Sequence, residues 1–247
     1  MTALRPIRKQ SVSDAVFEQL RDQIVSGAMA PGSPLPAERV LCDALGVNRG
    51  SVREAVKRLQ QSRLVSVRHG GTSHVLDFRA TASLDLLGDL LFTPDGGFDT
   101  RIVRDIIEMR SALAPDIARL AAERARPAQL AALERVVRAM AAAADDLTAL
   151  QGLALDFWSH LVDAADNLAY RLAYNSLRAT YDQCRSLFTQ VQADEIGDVA
   201  RYRAIAAAVR GRDAHTAERL ARELIRRGEK AIANALRRLD RRSEGRR

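Results

Sequence analysis

Apolar positions near the start of the chain recur with the period of a helix. Val12, Val16, Leu20 and Ile24 share one face, which predicts a helix from Ser11 to Ser26. Ser11 and Asp14 have the spacing of a capping box, and Gly27 supplies a stop. The next stretch, MAPGSPLP, holds too much Pro and Gly to be helical. Pro36 suits the opening turn of a second helix, AERVLCDAL, which Gly46 ends. Asn48 can cap a third helix, on which Val52, Ala55, Val56 and Leu59 form an i, i+3, i+4, i+7 stripe. In LVSVRHGGTSHVL, Val65 and Val67 alternate with polar residues and Gly70-Gly71 permits a turn, which predicts a β-hairpin. Three helices, a glycine turn before the third and a closing hairpin make a winged helix-turn-helix over residues 1–78.

Residues 79–82 read as a linker. From 83 to 240 every apolar pattern is helical, with breaks at Thr93–Gly97, Pro127, Asp145-Asp146, Asp166-Asn167, Gly197 and Gly211. That predicts six or seven helices, no strands, and a kink at Pro115. The fold class is therefore mostly α: a winged helix with a small β-hairpin wing, then an all-α helical bundle. Residues 241–247 form a basic tail.

Composition fits this outline. The chain has 247 residues, 47% hydrophobic and 28% charged, enough apolar content for a core and against disorder. No apolar run reaches the ~18 residues of a membrane span. MTALRPIRKQ lacks the apolar stretch of a signal peptide. Cys42 and Cys184 stand far apart and form no metal or redox motif, so a cytoplasmic protein with two buried free thiols is expected. The formal charge of +7 is unevenly spread: net +5 in residues 1–80, +4 in 237–247 and −2 between. A basic head and tail on a near-neutral body point to a phosphate-bearing partner at the ends.

Arg49, Arg53 and Lys57 follow at i, i+4, i+8, opposite the apolar stripe of the third helix. Gly50 and Ser51 keep the helix start small enough to approach a groove, and arginine there can fork onto a guanine edge. Arg68-His69-Gly70-Gly71 puts a cation at the wing tip, suited to minor-groove or phosphate contact. The stretch LPAERVLCDALGVNRGSVREAVKRLQQSRLVSVRHGGTSHV resembles the DNA-binding domain of the GntR superfamily of bacterial regulators. The resemblance implies DNA contacts from Arg39, Arg49 and Arg53, with Asn48, Gly50 and Ser51 at the helix start and His69 and Gly70 in the wing. It also implies a homodimer on a palindromic double-stranded operator. Gly50 departs from the Thr or Ser often found there, which removes one hydroxyl.

The remainder is similar to the helical FCD effector domain of the FadR-like subfamily. Glu108–Leu113 is similar to its first long helix, and Asp156–His160 through Asn167 to its central helix and following turn. Many FCD domains hold a divalent metal with one Asp and three His. Here the corresponding positions fall at Ala154, Trp158, Tyr202 and near Leu224, and the chain has four histidines, two in the wing region. No metal or other cofactor is therefore expected. Seven of the chain's aromatic residues lie between 157 and 202, and Tyr174, Tyr181 and Phe188 are spaced by seven, on one helix face. This pattern resembles the metal-free, fatty-acid-responsive members of the subfamily. The resemblance implies long-chain acyl-coenzyme A as effector, with Trp158, Tyr181, Phe188, Tyr202 and Leu224 lining an acyl site, and Arg110 and Arg237 for a carboxylate or coenzyme phosphate. Another small carboxylate is the alternative effector. The sequence holds no nucleophile elbow, Walker loop or zinc-protease motif, so an enzyme is not expected.

Overall fold

A computed structural model describes residues 11–66, 72–93 and 97–244. The chain divides into two compact units, one ending at Asp89 and the other beginning at Leu90.

In the first unit, α1 (Val12–Val25) is closed by its capping box. The Ser11 hydroxyl accepts the Asp14 N–H at 3.1 Å, and the Asp14 carboxylate accepts the Ser11 N–H at 3.3 Å. The buried face is Val16, Phe17, Leu20 and Ile24. Val12 was expected on that face but is half exposed, because the face is centred on Phe17 instead. α2 (Glu38–Leu45) begins two residues after Pro36, with Ala37 as its N-cap, and ends as expected on Gly46 in the left-handed conformation. α3 (Arg49–Gln61) buries Val52, Ala55 and Leu59. It packs on α1, where the Arg58 guanidinium lies 4.1 Å from the centre of the Phe17 ring and pairs with Asp14. β1 (Val65–Ser66) pairs antiparallel with β2 (His74–Val75), and Val65 faces Val75. The wing tip, with Val67, His69 and Gly70, lies outside the described residues. Most of the stretch expected as linker is one helical turn, α4 (Phe78–Thr81), capped by the Asp77 carboxylate. A 3-10 turn at Leu84–Leu86 and the short α5 (Leu87–Leu90) follow.

The second unit is built from α6 (Thr100–Arg124), α7 (Pro127–Ala142), α8 (Leu147–Ala164), α9 (Leu168–Phe188), α10 (Ala193–Ile196), α11 (Val199–Arg210) and α12 (Ala214–Glu244). Pro127 opens α7, Asp146 caps α8, Asn167 caps α9, and Gly211 ends α11. α6 runs through Pro115 as one helix. α12 continues to Glu244, so part of the expected tail is helical. α12 packs along α6, and α7 along α8. The core joins α6, α7, α8, α11 and α12 around Met140, Leu150, Phe157, Leu161 and Ile205. Among the described residues, no helix is long and apolar enough to cross a membrane. Cys42 is half-buried rather than buried, whereas burial pushes the Cys184 thiol up to about 11.

Candidate DNA interface and effector cavity

The outer face of α3 carries Arg49, Arg53 and Lys57, all exposed. Arg53 Nε donates to Glu38 at 2.9 Å, and Arg39 lies 4.0 Å from Asp43 on α2. Such exposed pairs are weak and screened, so a phosphate can replace the carboxylate. Asn48 is partly committed to the fold: its side-chain oxygen accepts the Ser51 N–H at 3.0 Å. A Cβ on Gly50 would stand 3.1 Å from that oxygen, so glycine leaves the cap uncrowded. The helix start offers its dipole and carries the exposed Arg49 as its first residue, a combination that favours anions. His69 and Gly70 lie outside the described residues.

Within the second unit is a mostly apolar cavity of about 160 Å³, walled by α6, α8, α9 and α10, with Tyr202 of α11 and Ile232 of α12. Arg110, Trp158, Tyr181, Phe188 and Tyr202 all line it. Leu224 does not; it is fully buried in the core. Arg237 does not either; it is exposed and bonds to Asn234. The reason is rotation about α12. Ile232 faces the cavity, and Leu224 and Arg237 stand roughly 80° and 140° around the helix from it. Ala154, Trp158 and Tyr202, which resemblance aligned with metal ligands, meet at the cavity, and Leu224 does not. Among the described residues, no group of three or more His, Cys, Asp or Glu could hold a metal ion.

One side of the cavity is polar. Arg110 Nη1 donates to Glu195 at 3.1 Å and Nη2 pairs with the other carboxylate oxygen. Glu195 is 2% exposed. Burial opposes the charge on Arg110, but the Glu195 carboxylate outweighs it and holds the guanidinium more firmly protonated. Gly228 makes room for this pair, since a Cβ there would lie 1.7 Å from Glu195 Oε2. Beside it, the Gln151 amide donates to the Tyr181 hydroxyl at 2.7 Å and to the Arg185 carbonyl at 2.9 Å, and Tyr181 donates to Gln192 at 2.8 Å. The Tyr202 hydroxyl and the Trp158 indole N–H are buried without a hydrogen-bond partner. Burial, then the nearby Glu195 charge, push the Tyr202 hydroxyl well above its ordinary pKa. The Arg110 charge, and after it the nearby indole, oppose this in part; the indole makes no aligned hydrogen bond to the hydroxyl.

Sequence reasoning missed Glu195, Gln151 and Gln192. Gln151 was detectable: it stands seven residues before Trp158, a lone amide on an apolar face of α8. Glu195, in the run ADEIGD, carries no such signal.

Residues 12–75 match the family described as "Bacterial regulatory proteins, gntR family", and residues 105–227 match the FCD domain. Over 223 residues the chain is 40% identical to the HTH-type transcriptional regulator Mce2R of Mycobacterium tuberculosis, spanning 90% of this chain and 92% of that one. The chain belongs to the GntR family. As a GntR-family protein with an FCD domain it is a DNA-binding transcriptional regulator, not an enzyme. Other GntR relatives differ in what their names record. The galactonate operon transcriptional repressor of Escherichia coli is 28% identical over 86% of this chain and 93% of its own. A fatty acid metabolism regulator protein of Vibrio cholerae is 34% identical over 47% of this chain and 41% of its own.

Proposed function

We propose that the protein binds a palindromic operator as a homodimer through α3 and the wing, acting in the cytoplasm, and that a fatty-acyl compound in the FCD cavity changes its operator affinity. Long-chain acyl-coenzyme A is the reference effector. The observation that carries this proposal is the cavity lining. Leu91, Val103, Ile107, Leu177, Phe188 and Ile232 surround a space in which each buried methylene contributes about 0.8 kcal/mol. The partial likeness to the Vibrio fatty acid regulator supports the same chemistry.

A shorter apolar effector is favoured by the volume. About 160 Å³ is close to the ~150 Å³ that holds one benzene, so a full long chain needs lining side chains to give way.

Trp158 is the only tryptophan and lines the cavity, so its fluorescence tests the proposal directly. Acyl-coenzyme A of increasing chain length should change it saturably, with affinity climbing until the cavity is full. An early plateau would identify the shorter effector. Trp158→Ala, read by calorimetry, should weaken the longest bound chains most. A flat response to every acyl chain, together with tight binding of a small hydrophilic carboxylate, would overturn the fatty-acyl effector. Footprinting should show a discrete palindrome; coating in proportion to DNA length would count against operator recognition.

A further inference from the structure

Trp158 Nε1 and Tyr202 Oη are the polar atoms of the cavity wall that the protein leaves unsatisfied. Trp158 is 6% exposed and Tyr202 fully buried. Such orphans are rare in folded proteins, because each forfeits the hydrogen bonds it made with water. They are also held in place. The buried Phe157 ring meets Trp158 edge-on at 6.0 Å and Tyr202 edge-on at 5.0 Å. An indole N–H only donates, whereas a phenol oxygen can accept from the nearby indole and its hydroxyl donate onward, so the pair as a whole still presents donors to an acceptor.

The charges around them are already spent. The lining cations are Arg110, paired with Glu195, and Arg178, paired with Asp156 at 3.4 Å and Asp182 at 3.7 Å. Among the described residues that line the cavity, a free carboxylate would meet no unpaired cation; Arg185, behind Gln151, is held at Nε by the Gln151 amide oxygen at 3.2 Å. It would also lie beside Glu195, whose charge acts on the Tyr202 oxygen more strongly than the opposing charge of Arg110. An unpaired anion in a poorly hydrated site is costly.

We infer that the effector's head is a neutral hydrogen-bond acceptor, the carbonyl of a thioester, ester or ketone, bound by the Trp158 indole N–H and the Tyr202 hydroxyl, and not a free carboxylate. This rests on the proposed apolar effector in the same cavity. It selects among acyl compounds: thioesters and other neutral derivatives bind, and the parent acids bind weakly.

Two matched probes test this by calorimetry on the full chain at neutral pH. 2-Nonanone and octanoate share one alkyl chain and differ by a methyl group in place of the charged oxygen. The ketone should bind at least about tenfold tighter. Because the ketone is also the more apolar probe, two variants separate specific recognition from partitioning. Tyr202→Phe should weaken 2-nonanone about five- to tenfold, the loss of one buried hydrogen bond. The same change should leave the ligand-free thermal midpoint level or higher, since it removes an orphaned hydroxyl; a merely structural tyrosine would lower it. Glu195→Gln keeps the side-chain shape beside Gly228 and removes the charge. It should strengthen octanoate at least about tenfold and leave the ketone within about twofold. Octanoate binding tighter than the ketone in the parent protein, or a ketone affinity unaffected by Tyr202→Phe, would overturn the neutral-head assignment and leave the apolar effector standing. If neither probe binds, the neutral-head assignment falls; if acyl-coenzyme A of every chain length also leaves Trp158 fluorescence flat, the apolar effector falls with it.

Discussion

Arg49 is the first residue of α3 and is exposed, so its side chain adds nothing to the core. Its neighbour Asn48 differs: as the N-cap it holds the Ser51 N–H, a contact typically worth about 1 kcal/mol of folding. The two residues therefore separate DNA recognition from stability. Arg49→Ala should leave the thermal midpoint unchanged while losing a bidentate guanine contact of about 1–3 kcal/mol per half-site, twice over in a dimer. A gel-shift at physiological salt should show specific operator binding abolished. Undiminished operator affinity would remove Arg49 from the interface. Arg53 is a poorer test, since its bond to Glu38 would mix the proposed DNA role with an α2–α3 contact.

At the scale of elements, the polar side of the cavity depends on a short helix meeting a long one. α10 has four residues, too short a helix to hold itself without its neighbours. What fixes Glu195 is Arg110 from α6 and the bare backbone of α12 at Gly228. Gly228→Ala would put a methyl group 1.7 Å from the present carboxylate oxygen, so Glu195 must shift from its present seat on Arg110. Breaking a buried pair costs up to about 3–5 kcal/mol. The variant should melt several degrees lower by calorimetry. An unchanged midpoint would mean that the pair is dispensable for stability. The same elements mark how far sequence alone reached. Long helices were legible because several turns of periodic apolar residues and explicit caps, such as Ser11, Asp146 and Asn167, agree with each other. Single turns such as α4 and α10 are shorter than the period that would reveal them. The aromatic stripe of α9 was readable as spacing, and Tyr174, Tyr181 and Phe188 do share the cavity. Arg237 was misjudged for the opposite reason: spacing orders residues around a helix but does not say which side of α12 faces the bundle. Glu195 became visible only through partners 85 and 33 positions away, Arg110 and Gly228.

For the whole molecule, positive charge concentrates at the two ends of the chain. Residues 1–80 carry net +5, much of it on the helix-turn-helix, and residues 237–247 carry net +4 in a terminal stretch that is helical as far as Glu244. Sequence-specific binding needs side chains held at fixed positions against base edges, the role proposed for α3. Solvated tail charges act through a field that decays within roughly 8 Å at physiological salt. Deleting residues 241–247 removes four arginines and one glutamate. If those arginines sat on phosphates in a dimer, the eight lost contacts would flatten the slope of log affinity against log salt by about seven. The expected change is about one or less, with the footprint boundaries intact, if the tail charges act on DNA only as a screened field. Titrating operator binding across a salt series for the full and truncated chains decides between these outcomes. A large drop in slope, or a lost footprint, would make the tail a DNA-binding arm as important as the wing.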